Sequence, residues 1–264
     1  MKIVFFGTPN YIVPILEKLH KNFGVTAVVT QPPKKVGREQ KLTFSPVDDF
    51  AHKRKIDIIF DPQMAPSAEL GVCAAYGLII PRSVIEKYRY GILNVHPSLL
   101  PKYRGASPIQ AAIANGDTQT GVTIIKMDEK MDHGPIVAQF KEDILPDDTG
   151  ETLRQRLFER SAQVLVDLIP NYLKKRINLK AQTHTKATFT KIIKKEDGFI
   201  NLKDKTPQET ERFIRAMYPW PCAWTKTPDG KRLKLLPNDM VQLEGKNPVT
   251  RKQFEDAYPD ALSS

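Results

Sequence analysis

Cysteine is scarce: the 264 residues hold only Cys73 and Cys222, far apart and each among apolar or aromatic neighbours. A disulfide framework or a cysteine-based zinc site needs closely spaced thiols, so neither is expected, and both cysteines read as reduced and buried. Long apolar runs are missing too. No segment approaches the roughly 18–20 uninterrupted apolar residues of a membrane-spanning helix. The opening run, Ile3-Val4-Phe5-Phe6, is too short for a signal peptide and turns at once into Gly7-Thr8-Pro9. It reads as a first β-strand of a cytoplasmic protein without membrane association. The same Gly-Thr-Pro turn has the spacing of neither a dinucleotide fingerprint nor a phosphate-binding P-loop, so no nucleotide cofactor is inferred.

What is present begins with charge. The net value is +10, and residues 171–264 carry +8 of it against +2 for residues 1–170. Clustered cations gain affinity for polyanions by releasing counterions from phosphates, although a basic tail can equally be a solvated surface. At 41% hydrophobic, the chain can bury one large core and a smaller second one.

Periodicity then gives the architecture. After the first strand, Ile12, Ile15, Leu16 and Leu19 fall at helical spacing, and Val25–Thr30 reads as a second strand. Strand, helix and strand within about thirty residues is a βαβ unit, which favours a parallel sheet covered by helices. Residues 31–46 form a long, basic, proline-punctuated loop, a length that is usually functional or disordered. A helix over Val47–Lys55, a strand over Ile56–Phe60, an apolar run over Leu70–Gly77 and a strand over residues 92–96 follow. A loop over 97–105, a helix over 107–115 and strands at Gly121–Met127 and Pro135–Phe140 come next. A long helix from Thr149 to Lys175 carries Leu153, Leu157, Val164, Leu165 and Leu168 on one side, with Pro170 expected to bend it or end it early. Residues 1–178 are thus read as one α/β domain, 179–200 as a linker and 201–264 as a small β-rich unit.

The chemistry is densest in Asn94-Val95-His96-Pro97-Ser98-Leu99-Leu100-Pro101-Lys102-Tyr103-Arg104-Gly105. Residues two apart on a strand share a face, so Asn94 and His96 project together from a strand's C-terminal end, where open α/β sheets place their ligand crevices. An amide donor beside a group that titrates near neutrality suits a reaction in which an oxyanion develops while an amine loses a proton. Asp132, in the turn Met131-Asp132-His133-Gly134, is the candidate that would hold the imidazole. Taken alone, this set fits an ordinary strand end and an ordinary turn as well as it fits a site.

The segment Asn-Val-His-Pro-Ser-Leu-Leu-Pro-Lys-Tyr-Arg-Gly, with Thr120-Gly121-Val122-Thr123 and Met131-Asp132-x-Gly134 after it, resembles the active-site signature of the folate-dependent formyltransferases. Further segments are similar to the branch of that family that acts on methionyl initiator tRNA. They include Phe6-Gly7-Thr8-Pro9, Ala75-Tyr76-Gly77-Leu78-Ile79-Ile80-Pro81, Ser107-Pro108-Ile109-Gln110 and Arg215-Ala216-Met217-Tyr218-Pro219-Trp220-Pro221. The resemblance runs in order over nearly the whole chain.

It implies a Rossmann-like parallel or mixed sheet followed by a small unit resembling an oligonucleotide-binding barrel. It also implies formyl transfer from 10-formyltetrahydrofolate, without a metal, to the amine of initiator methionyl-tRNA by a monomer. Asn94, His96 and Asp132 match the family's catalytic positions. Ser98, Leu99, Leu100 and Pro101 match its folate-contacting loop, and Tyr76, Gly77, Leu78 and Ile79 match the wall of its pterin pocket. The basic loop matches its acceptor-end loop, with Arg38 at the functional arginine and Lys34, Lys35 and Lys41 as possible phosphate contacts. His20, His52 and His184 are expected to be structural or exposed, and His133 is given no role.

Two departures stand out. The chain is short between Phe60 and Ala75, and too few strands follow Trp224 to close a barrel. A sugar amine formyltransferase with the same core, or a non-catalytic RNA-binding relative, are the competing readings.

Overall fold

The computed structural model describes residues 1–37 and 39–259, which form two compact units. The first unit holds Met1–Gly105, Gly121–Glu142 and Arg154–Phe189, and the second holds Ala106–Thr120, Asp143–Leu153 and Thr190 onward.

The first unit is built on a seven-stranded sheet. Its order is Ile136–Asp143, Gln119–Lys126, Ile92–His96, Leu70–Ala74, Ile3–Gly7, Val25–Val29 and Asp57–Ile59. The five strands from Ile92–His96 to Asp57–Ile59 run parallel, and Gln119–Lys126 is antiparallel to Ile92–His96. Ile3–Gly7 is buried along its whole length and pairs with a neighbour on each edge. Apolar burial of this kind contributes about 1.5–3 kcal/mol per large side chain. The Val13–Phe23 helix buries Ile15, Leu16 and Leu19 and stops at Gly24, whose φ of 76° few other residues adopt.

Two expectations need correcting. The basic stretch is not an irregular loop: Lys34–Val36 and Lys41–Thr43 pair as an antiparallel hairpin around Gly37, with Lys35 opposite Leu42. The long helix, Gly150–Leu173, continues past Pro170 and ends three residues later, short of the expected Lys175. A proline removes one N–H bond to the preceding turn, and here less than one turn remains to be lost. Residues 179–200 carry short elements, among them the pair Phe189–Thr190 that bonds to Arg104–Gly105.

The second unit carries an open, four-stranded antiparallel sheet in the order Ala223–Lys226, Arg232–Leu236, Met240–Leu243 and Val249–Thr250. Alternation sends Leu233, Leu235, Val241 and Leu243 into a core that also takes Ile200, Met217 and Phe254. The Pro207–Met217 helix is capped by Thr206 and Glu209 reciprocally and packs against Pro108–Ala114. Among the described residues, no helix is long and apolar enough to cross a membrane.

Candidate active site

The parallel register brings three loops to one edge of the sheet. Gly7 lies beside Ala74, and Cys73 beside Asn94, so the turns after residues 7, 74 and 96 leave the carboxyl ends of adjacent strands. The strand predicted over residues 92–96 is Ile92–His96, and it presents Asn94 half-buried and His96 buried. Asp132 enters from the turn after Gln119–Lys126. Its φ is 49°, a left-handed conformation that aspartate tolerates better than most side chains. Gly134 closes that turn, because a Cβ there would lie 1.9 Å from the Lys126 carbonyl oxygen.

The three sequence-predicted residues converge on one atom. Asn94 Nδ2 donates to Asp132 Oδ1 at 3.3 Å, and His96 Nδ1 stands 3.5 Å from the same oxygen. The other carboxylate oxygen, Oδ2, accepts the Gly105 N–H at 2.8 Å. His96 Nε2 lies 2.9 Å from the Tyr103 carbonyl oxygen, which can only accept, so Nε2 carries the hydrogen. Protonation of the imidazole therefore takes place at Nδ1, on the side of Asp132. The arrangement can stabilise a growing negative charge through Asn94 and pass a proton between His96 and Asp132.

Sequence reasoning missed the groups that hold this trio. Thr188 Oγ1 accepts the Tyr103 N–H at 2.8 Å and the Thr188 carbonyl accepts the Arg104 N–H at 2.8 Å, so Thr188 aims the Tyr103 carbonyl at His96. Gln182 bonds the Asp132 turn, and Arg104 bonds Gln182. Thr123 accepts the Leu100 N–H and donates to the Ser98 carbonyl, and Gln139 donates to the Leu100 carbonyl. Only the Thr123 contact had a sequence signal, in the Thr-Gly-Val-Thr motif. Thr188 and Gln182 lie 85 and 78 residues along the chain from their partners, beyond the reach of any local pattern.

The folate-matched segments divide by exposure. Tyr76, Ser98 and Leu100 point their side chains inward, and Ser98 Oγ donates to the Lys102 carbonyl. Leu99 and Pro101 are half-buried. Gly77, Leu78 and Ile79 are exposed, Ile79 to 82%, so a turn of apolar side chains and open backbone lies next to the Asn94 strand. A flat heteroaromatic ring fits such a surface, since the ring takes apolar contact on its faces and backbone bonds at its edge. The Tyr76 carbonyl is held by Thr8 Oγ1 at 3.1 Å and Gln31 Nε2 at 3.1 Å, and Lys34 Nζ donates to Gln31 Oε1 at 2.6 Å. Gly77 has a φ of 81°, and a Cβ there would meet Gln31 Nε2 at 2.7 Å. The basic hairpin and the apolar turn thus share one side chain.

Lys35 and Lys41 are exposed on the hairpin, and Arg38 lies outside the described residues. His20 accepts the Val25 N–H, as a structural histidine does. His133 and His184 stack face to face, with ring centroids 3.9 Å apart. His133 bonds Asp128 at 2.7 Å, while His184 Nδ1 accepts from Arg104 at 2.8 Å. No cluster of three or more histidine, cysteine or acidic residues fit to hold a metal occurs among the described residues.

Known proteins resemble the chain over most of its length. The formyl transferase family model matches residues 1–169, and that of the formyl transferase C-terminal domain matches residues 192–256. A methionyl-tRNA formyltransferase of Chloroflexus aggregans is 42% identical over 236 residues, which are 85% of this chain and 76% of that one. One from Macrococcus caseolyticus is 37% identical over 254 residues, 92% of this chain and 81% of its own. Among solved structures, an N-formyltransferase of Helicobacter canadensis in complex with folinic acid and dTDP-3-aminofucose superposes with a TM-score of 0.70. It is 20% identical, with 92% of this chain and 95% of that one covered, and shares the fold. The chain belongs to the formyl transferase family.

Proposed function

We propose that this protein transfers a formyl group from 10-formyltetrahydrofolate to the amine of methionyl initiator tRNA; relatives 42% and 37% identical to it carry the name methionyl-tRNA formyltransferase. The observation that carries the proposal is the convergence of Asn94 and His96 on a single carboxylate oxygen of Asp132. The folate, when bound, supplies the formyl carbon and leaves as tetrahydrofolate. The exposed turn Gly77-Leu78-Ile79 and the half-buried Leu99 and Pro101 receive it, while Ser98 and Leu100 shape their loop from inside. Asn94 turns an amide N–H to the formyl oxygen as charge gathers there, and His96, protonated at Nδ1, adds a second positive partner. Asp132 accepts the proton that the attacking amine loses and fixes the imidazole's orientation.

Arg38, with Lys34, Lys35 and Lys41, receives the acceptor end of the tRNA. Residues 1–178 carry the transfer, 179–200 connect, and 201–264 grip the tRNA. We place the enzyme in the cytoplasm, as a monomer, beside the translation machinery that consumes its product.

The test is direct. The protein is incubated with 10-formyltetrahydrofolate and charged initiator tRNA, and formyl-methionine is followed after ester hydrolysis. Transfer to the tRNA is expected, with His96→Ala and Asp132→Ala each about 10²–10⁴-fold slower. Absence of tRNA product together with formylation of an amino-sugar nucleotide would sink the reading. Near-normal rates in either variant would refute the assigned roles.

A further inference from the structure

Gln182 is a buried polar side chain that the chemistry above does not use. It is 5% exposed and lies in a stretch rich in lysine and threonine. Its Nε2 donates twice, to the Asp132 carbonyl at 2.9 Å and to the Gly134 carbonyl at 2.8 Å. Its Oε1 accepts from Arg104 Nη2 at 2.6 Å. These partners leave the amide one orientation, because a guanidinium can only donate and a carbonyl can only accept. Arg104 is itself 4% exposed, so the bond lies where water competes little.

The two carbonyls that Gln182 holds flank the turn that carries the Asp132 carboxylate. That turn has a residue at φ 49°, a conformation that costs energy unless its surroundings enforce it. The residue after Arg104, Gly105, donates its N–H to Asp132 Oδ2 at 2.8 Å. Gln182, Arg104, Gly105 and Asp132 therefore close a ring. One side of it fixes the backbone of Asp132, and the other fixes its carboxylate.

We propose that Gln182 is a positioning residue: by clamping the 132–134 turn to Arg104, it sets the place of the Asp132 carboxylate beside His96 and Asn94. This rests on the assignment of Asp132 to formyl transfer. Two variants separate the amide's roles. Gln182→Met keeps the length and removes every hydrogen bond. Gln182→Glu keeps the acceptor for Arg104 and loses both donors to the turn.

Each variant is assayed with 10-formyltetrahydrofolate and charged initiator tRNA, with sites counted by calorimetric titration with 5-formyltetrahydrofolate. Both are expected to lose about 10- to 100-fold in kcat per folate-binding site, since a shift of an ångström at a reacting group costs that much. The KM for each substrate should stay within a few-fold of its original value. A purely structural role predicts the reverse: fewer binding sites, each with the original kcat. That result, or a Gln182→Glu enzyme with the original kcat per site, overturns the proposal. An unmodified protein that forms no formyl-methionine overturns the functional assignment, and this inference with it.

Discussion

His184 shows how far one side chain's surroundings can move its chemistry. Its ring loses water beside the stacked His133, and the charges of His133 and Arg104 further oppose a proton, so its pKa falls below the ordinary 6.5. The geometry agrees, because Nδ1 accepts a bond from Arg104 and cannot do so once protonated. A histidine whose folded pKa is depressed stabilises the fold fully above its unfolded value. That contribution is lost as pH drops from about 6.5 through the folded pKa. Urea unfolding at successive pH values should therefore show stability falling below pH 6.5, with a smaller fall in His184→Gln. A ring-proton titration of His184 at or above 6.5 would contradict the assignment. The sequence placed this residue in a linker as structural or exposed and named no partner for it, since its contacts with residues 104 and 133 come from segments remote along the chain.

At the level of elements, the hairpin Lys34–Thr43 has two kinds of lysine. Lys34, Lys35 and Lys41 all stand exposed, but Lys34 also reaches back to Gln31 and through it to the carbonyl that precedes Gly77. Replacing Lys35 and Lys41 by alanine is expected to raise the KM for tRNA and flatten its salt dependence by about 0.7–0.9 log units for each phosphate no longer neutralised. The folate KM should not move. Lys34→Ala is expected to raise the folate KM as well, because it frees Gln31. Equal effects of all three on both substrates would refute the division.

The strands at the site were legible from apolar periodicity, and Ile92–His96 was placed to the residue, but their order in the sheet was not. The hairpin was not, because Lys-Lys-Val and Lys-Leu-Thr are too short and too polar to announce strands. Nor was the continuation of the helix past Pro170, where tertiary packing outweighs local propensity. The meeting of Asn94, His96 and Asp132 was expected from the resemblance, whereas the bonds of Thr188 and Gln182 were not, because they form only after distant segments meet.

For the whole molecule, the excess positive charge belongs to residues 171–264, and the open sheet of the second unit spreads part of it. Lys226 lies opposite Arg232, and Lys234 opposite Trp224 and Gln242, an arrangement that keeps cations side by side. The pairing of Arg104–Gly105 with Phe189–Thr190 bears on time rather than on contact. Ile3–Gly7 pairs with Val25–Val29 across a connection of only residues 8–24, whereas Tyr103 waits for a hydroxyl 85 residues further along. On refolding, the amides of Ile3–Gly7 and Val25–Val29 should gain protection from hydrogen exchange before those of Tyr103 and Arg104, in pulse-labelling at millisecond intervals. Simultaneous protection would refute this order. In a growing chain the same delay has a plain meaning: the sheet can assemble while residues beyond 180 are still inside the ribosome, but the catalytic loop is finished only after they emerge.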